Sequence, residues 1–244
     1  MPNNLSLSQS IVPSSAGGLL LIDKPKDFTS NDIVAIARRA LHTKCIGHSG
    51  TLDPMATGLL ILLVQRQATR LQSQFLKLDK VYHASLRLGT DTDTWDAQGT
   101  VVAQKDIPAL SLTQIQAATQ QLTGEVRQQI PPFSAKKING RKMYDLAREG
   151  SLQEERFNTV KIFAWKDISF NGKDTIDFTL HCACGTYVRS VARQLAQLLG
   201  STGHLIVLRR LAIGPFSVEN ALDGAKLKTI PQAEIVKFLQ EPVL

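Results

Sequence analysis

The segment Gly47-His48-Ser49-Gly50-Thr51-Leu52-Asp53-Pro54-Met55-Ala56-Thr57-Gly58 concentrates more residues able to do chemistry than any other stretch of this sequence. Its three glycines imply a constrained backbone. A phosphate-binding P-loop would end in Gly-Lys-Ser/Thr, and a serine nucleophile elbow would need glycine where Thr51 stands, so neither reading holds. Asp53 keeps two readings: a turn residue whose carboxylate caps its own backbone, or a carboxylate nucleophile. His48, between glycine and serine, is a candidate base, ligand, or side chain that stacks on or displaces a nucleobase. The five histidines, His42, His48, His83, His181 and His204, are too scattered to suggest a metal site, and none is expected.

Cys184-Gly185-Thr186-Tyr187-Val188-Arg189 supplies a second constellation. Glycine permits a tight strand-to-helix connection there. Arg189 then falls in the first turn of a helix, where its charge opposes the helix dipole unless a carboxylate or phosphate answers it. Asp53 is a candidate for that partner, and plain solvent exposure is the alternative. Asp91-Thr92-Asp93-Thr94-Trp95-Asp96 resembles half of a calcium loop, but Trp95 occupies a ligand position and the closing Glu is missing; it reads as a polar turn. Of three tyrosines, Tyr82 and Tyr187 stand beside the segments singled out, with half-buried packing as the alternative for each.

The elements that must position these residues follow from hydrophobic spacing. Leu19–Ile22 and Leu59–Val64 read as buried strands. Ser30 is placed to cap a helix carrying Ile33, Ile36/Ala37 and Ala40/Leu41. Lys80–Leu88 alternates as a strand with Tyr82, Ala84, Leu86 and Leu88 on its apolar face. Leu112, Ile115, Thr119 and Leu122 mark a helix closed by Gly124, and Tyr187–Leu199 an amphipathic one ended by Gly200. Asp174–Cys184 reads as a strand that buries Ile176, Phe178, Leu180, Cys182 and Cys184; Leu205–Ile213 reads as another. Strands and helices mix without strict alternation, which predicts an α+β domain on a mixed sheet.

The chain has 244 residues, of which 43% are apolar, enough for one core with an insertion. Its apolar runs are too short to span a bilayer, and residues 1–10 lack a signal-peptide pattern, so a cytosolic protein is expected. Three cysteines, the last two as C-x-C, indicate neither a disulfide framework nor zinc. The net charge of +7 is unevenly placed. Arg127, Lys136, Lys137, Arg141, Lys142 and Arg148 fall within 22 residues that hold one acid, and Phe178–Val218 holds none. Because Pro131, Pro132, Gly140 and Tyr144 interrupt the first run, it reads as an ordered loop that presents charge to phosphates, and a folded RNA suits it.

In combination these segments resemble the TruB-type tRNA pseudouridine-55 synthases. The resemblance is carried by Leu21-Ile22-Asp23-Lys24-Pro25 with Thr29-Ser30, Gly47–Gly58, and Lys80-Val81-Tyr82. It continues through Gln129–Lys137 with Gly140 and Tyr144, then Gly185–Arg189 and Leu208-Arg209-Arg210-Leu211. The G-H-x-G-T-L-D-P-x-A-T-G string is the most specific of these. The resemblance implies a largely antiparallel mixed sheet flanked by helices, with residues 127–150 as an RNA-gripping insertion. It implies Asp53 as the catalytic aspartate, Arg189 as its ion-pair partner, Tyr187 near C5 of the base, Tyr82 as the stacking ring and Leu208 as an apolar wall. Lys24 is carried over as an active-site neighbour, His48 as the side chain associated with base flipping, and Lys136, Lys137, Arg141, Lys142 and Arg148 as the RNA grip. No cofactor, metal, membrane or obligatory protein partner is expected, and the substrate implied is the T-arm of tRNA.

The domain layout expected is a leader over 1–16, a catalytic domain over 17–216 and a short tail over 217–244 with no PUA domain. Arg66-Gln67-Ala68-Thr69-Arg70 departs from the family's usual Gly-x-Ala-Thr-Lys and puts the preceding turn in question. Isomerising uridine breaks N1–C1′ and joins C5 to C1′ without redox change, so one ionised carboxylate beside an arginine is the main requirement. Attack at C1′, attack at C6 and a glycal path all remain open. The rival functions are a tRNA chaperone, which would not need the Asp53 carboxylate, and a synthase acting on another RNA.

Overall fold

The computed structural model describes residues 17–132 and 155–242, together with the backbone of 137, 138, 141 and 142. The strands are β1 (Gly18–Lys24), β2 (Ile46–His48), β3 (Thr57–Val64), β4 (Lys80–Leu88), β5 (Thr90–Thr92), β6 (Val101–Gln104), β7 (Gly124–Gln129), β8 (Lys137–Ile138), β9 (Arg141–Lys142), β10 (Phe157–Phe170), β11 (Thr175–Cys182), β12 (Gly203–Ile213), β13 (Phe216–Ser217), β14 (Leu222–Asp223) and β15 (Leu239–Gln240). The large sheet runs β14-β1-β3-β12-β4-β11-β10-β7, with β2 on β3, β13 on β12 and β15 on β1. Its β1–β14 and β3–β12 pairs are parallel and the others antiparallel. The fold is therefore the mixed α+β arrangement expected, with helices packed on the sheet.

Alternation decides which sheet face is covered. On β4 and β11, Tyr82, Ala84, Leu86, Ile176, Phe178, Leu180 and Cys182 are buried, and they pack with Ile115, Val191 and Leu195 of the Leu112–Gln121 and Val188–Leu198 helices. Leu20, Ile22, Leu60 and Leu62 pack against Ile33 and Ala37 of the Ser30–Ala40 helix in a second core. The segment after Phe216, read from sequence as a tail, supplies Leu222, Leu227 and Ile235 to that core.

Two local expectations are corrected. Thr29, not Ser30, caps the Ser30–Ala40 helix: its side chain accepts from the Asp32 amide while the Asp32 carboxylate accepts from the Thr29 amide at 2.8 Å. Cys182 is buried but Cys184 is exposed, because β11 ends at Cys182 and the chain leaves the sheet there. The turn before Arg66 forms with Gln65 at φ 67°, its amide donating to the Cys45 carbonyl at 2.8 Å and Nε2 to Thr43 Oγ1 at 3.2 Å. Within the basic segment, β8 and β9 pair Lys137 with Lys142 and Ile138 with Arg141; Lys136 and Arg148 lie outside the described residues, as does the 1–16 leader.

Candidate active site

The Gly47–Gly58 segment closes over one end of the sheet, clamped from four sides. Gly58 sits at φ 99° where β3 passes β12, and a Cβ there would fall 2.2 Å from the Arg210 carbonyl oxygen. The buried hydroxyl of Ser30 accepts from the Leu52 amide at 2.9 Å. Buried Lys24 donates from Nζ to the carbonyls of Phe28 at 2.6 Å, Pro25 at 3.0 Å and Pro54 at 3.3 Å. Arg210 donates through Nε to the Leu59 carbonyl at 2.7 Å and through a terminal nitrogen to the Gly50 carbonyl at 3.1 Å. Leu52, Met55 and Ala56 anchor the segment in the core, and the Ala56 amide donates to the Asp53 carbonyl at 3.0 Å. Asp53 is left to project from a rigid turn.

Its carboxylate does not cap its own turn but faces the helix beginning at Val188. Arg189 Nε lies 3.0 Å from Asp53 Oδ2, with the Arg189 side chain 4% exposed and that of Asp53 34% exposed. Buried Asp96 approaches the same guanidinium at 3.7 Å, and an Arg189 terminal nitrogen donates to the Thr94 carbonyl at 2.7 Å. The planar guanidinium can satisfy several acceptors at fixed angles, which a lysine could not. The turn 91–96 is docked on the same helix by Arg193, which donates to Asp91 Oδ2 at 2.9 Å and lies over the Trp95 ring.

An open cavity of about 330 Å³ lies beside this pair, and Asp53, Tyr82, Tyr187, Arg189 and Leu208 all line it. Five residues predicted from sequence are thus brought to one place. Lys24 and His48 are not in its wall: Lys24 acts from behind the loop, and His48 ends β2 with its carbonyl accepting from Gln72 Nε2 at 2.8 Å. Burial lowers the Lys24 pKa to about 8, and burial followed by the Arg210 charge lowers that of His48. Burial raises the pKa of Tyr82, whose neighbours in the sheet are Leu180 and Arg210. The side chains of Lys137, Arg141 and Lys142 are outside the described residues.

Several positions that build the site escape sequence reasoning. Gln128, fully buried, donates to the Gly185 carbonyl at 2.8 Å and accepts from the Tyr187 amide at 3.0 Å, fixing the loop that carries Tyr187. Asp96 looked like a turn residue, and nothing in its local pattern announces a distant arginine. Arg210 and Lys80, both buried and both in the cavity wall, stand in quoted motifs beside Leu208 and Tyr82.

Residues 38–188 match the family described as TruB family pseudouridylate synthase (N terminal domain). A relative called tRNA pseudouridine synthase B, from Protochlamydia amoebophila, is 42% identical over 231 residues, covering 95% of this chain and 87% of its own. Its namesake from Corynebacterium efficiens is 41% identical, covering 88% of this chain and 73% of its own. Among solved structures, a Cbf5-Nop10-Gar1 complex shares the fold at TM-score 0.69 and 24% identity, over 94% of this chain and 61% of that one. An H/ACA RNP bound to a substrate RNA containing 2'-deoxyuridine matches at TM-score 0.62 and 25% identity, over 84% of this chain and 50% of that one. Among the described residues no helix is long and apolar enough to cross a membrane. The chain carries its most specific motif on the cavity-lining loop and its arginine on the facing helix, and with these matches it belongs to the TruB family of pseudouridylate synthases, which are isomerases.

Proposed function

We propose that this enzyme isomerises the T-arm uridine at position 55 of tRNA to pseudouridine, with the base flipped into the cavity and Asp53 as the reacting carboxylate. The observation that carries the reading is the Asp53–Arg189 pair at 3.0 Å in the wall of a cavity that Tyr82, Tyr187 and Leu208 also line. The tRNA substrate is supported by the names of relatives about 40% identical over most of the chain. A uridine stacked in the arm cannot present C1′ and C5 to a carboxylate, so it must leave its stack, at a cost of a few kcal/mol. Contact with Tyr82 and Leu208 returns part of that cost, about 1–3 kcal/mol for an aromatic stack.

Chemistry then needs an anion held at a fixed place. Arg189 holds the Asp53 carboxylate against the cavity, while Asp96 and the Thr94 carbonyl fix the guanidinium. Tyr187 stands in the cavity wall at the start of the Val188–Leu198 helix, placed to take the C5 proton once C5 has joined C1′. Lys136, Lys137, Arg141, Lys142 and Arg148 grip the tRNA arm by its phosphates, so that grip and chemistry use separate residues. The test is pseudouridine-specific mapping of an unmodified tRNA transcript after incubation with the protein. Conversion confined to the T-arm uridine supports the reading; conversion at another uridine, or in another RNA only, contradicts it.

A further inference from the structure

The cavity wall carries two buried cations that the steps above do not use. Lys80 and Arg210 both line it, 7% and 1% exposed, and they flank Tyr82 across adjacent strands, Arg210 opposite Tyr82 and Ile213 opposite Lys80. Among the described residues neither forms an ion pair. Arg210 is held by the carbonyls of Leu59 and Gly50, and Lys80 by those of Leu76 at 2.7 Å and Leu78. An ammonium has three donors, and these two backbone carbonyls use two of them. Burying unpaired cations side by side is costly, and each makes the other worse. The charge of Arg210 pushes the Lys80 pKa down, second only to burial. An anion arriving between them would relieve both.

We propose that Lys80 and Arg210 form an anion-holding subsite that carries the negative charge of the pyrimidine ring while it is detached from its sugar. The inference rests on the reading above and deepens it. When N1–C1′ breaks, the electron pair stays on the ring and spreads to O2 and O4, while C1′ is satisfied by the Asp53 carboxylate or by loss of a sugar proton. The ring turns and C5 gives its electrons to C1′ as the Asp53 carboxylate departs, or as the sugar carbon regains its proton, which leaves the ring neutral; the C5 proton then passes to a base and N1 takes up a proton, giving pseudouridine. On both of these routes the ring is anionic between the breaking of N1–C1′ and the joining of C5 to C1′. Tyr82, against the ring face, keeps it near the two cations at the ring edge. Fixed charges aimed at developing charge in a site with little water accelerate reactions strongly, by roughly 10²–10³-fold per donor in comparable sites.

The test is single-turnover reaction of saturating enzyme with two tRNA transcripts, one carrying uridine and one 5-fluorouridine at the target position, following loss of the N1-linked nucleotide by digestion and mass spectrometry. Fluorine stabilises the ring anion, so a variant lacking a cation should be partly excused. Lys80→Met is expected to lose roughly 10²-fold with uridine and at least several-fold less with 5-fluorouridine, while tRNA Kd stays within about threefold. Arg210→Lys, which keeps the charge, is expected to exceed Arg210→Gln in rate, with thermal unfolding measured beside both. Equal deficits on the two substrates overturn the subsite. A Lys80→Met protein that keeps its saturated rate but binds tRNA more weakly, with a salt slope lower by about one, also overturns it and assigns the charge to a backbone phosphate. A Lys80→Met protein with wild-type rate and Kd overturns the subsite alone, and a wild type that makes no pseudouridine overturns the substrate reading with it.

Discussion

The Asp53 carboxylate and the Arg189 guanidinium meet at 3.0 Å with opposite exposure: the arginine is sealed in the protein and the aspartate keeps a third of its side chain open to the cavity. The pair is thus built from the arginine side. Asp96 and the Thr94 carbonyl hold the guanidinium, which in turn holds the one carboxylate left accessible.

Arg189→Lys is expected to lower the single-turnover rate by at least about 10²-fold, because a point charge cannot span Asp53, Asp96 and the Thr94 carbonyl together. Arg189→Ala should additionally cost about 3–5 kcal/mol of stability, since buried Asp96 loses its cation. Rapid-quench kinetics and urea unfolding check the two effects separately.

Ser30→Ala removes the acceptor for the buried Leu52 amide without touching the cavity. About 1–3 kcal/mol of stability should be lost, with a fall in kcat and little change in tRNA affinity, as the Asp53 turn loosens. An unchanged kcat would show that Lys24, Arg210 and the core suffice to hold the turn.

Lys24 gives a pH signature. Its pKa is about 8 in the folded protein against the usual 10.5, so between those values the unfolded chain holds more proton and stability rises with pH. Below about pH 8 the contribution of Lys24 no longer changes with pH. The stability of wild type relative to Lys24→Met should therefore shift toward wild type by about 2–3 kcal/mol between pH 8 and 10.5. A shift in the other direction would mean that the carbonyls and Asp53 hold the ammonium more tightly than burial weakens it.

The cysteines should separate under alkylation of the native protein. Burial pushes the Cys182 thiol up to about 12, whereas Cys184 is exposed and adjoins Ala183 and Gly185 in the cavity wall. Mass spectrometry should find Cys184 modified first and Cys182 spared, with activity falling as Cys184 reacts. Cys184→Ser should abolish that inhibition.

Period-2 and helical spacing made β4, β11 and the Val188–Leu198 helix legible in the sequence, because each buries one regular face. Asp53, Tyr82, Tyr187, Arg189 and Leu208 were legible through the motifs that carry the family resemblance, and the structure gathers them at one cavity. What remained hidden is long-range. Asp96 and Gln128 serve residues far along the chain, and Ser30 resembled a cap because Thr29, the actual cap, stands beside it with the same hydroxyl chemistry. Cys184 was misplaced because alternation was carried past the last sheet hydrogen bond. No local spacing marks where a strand lets go.

The most direct test of the account is single-turnover conversion of an unmodified tRNA transcript by wild type and Asp53→Asn, with tRNA binding measured for both. The substitution keeps the shape of the side chain and removes its negative charge. The account predicts T-arm pseudouridine from wild type, none detectable from Asp53→Asn, and Kd values within about threefold of each other, because the proposed phosphate grip does not include Asp53. Conversion by Asp53→Asn at a rate near that of wild type would contradict it.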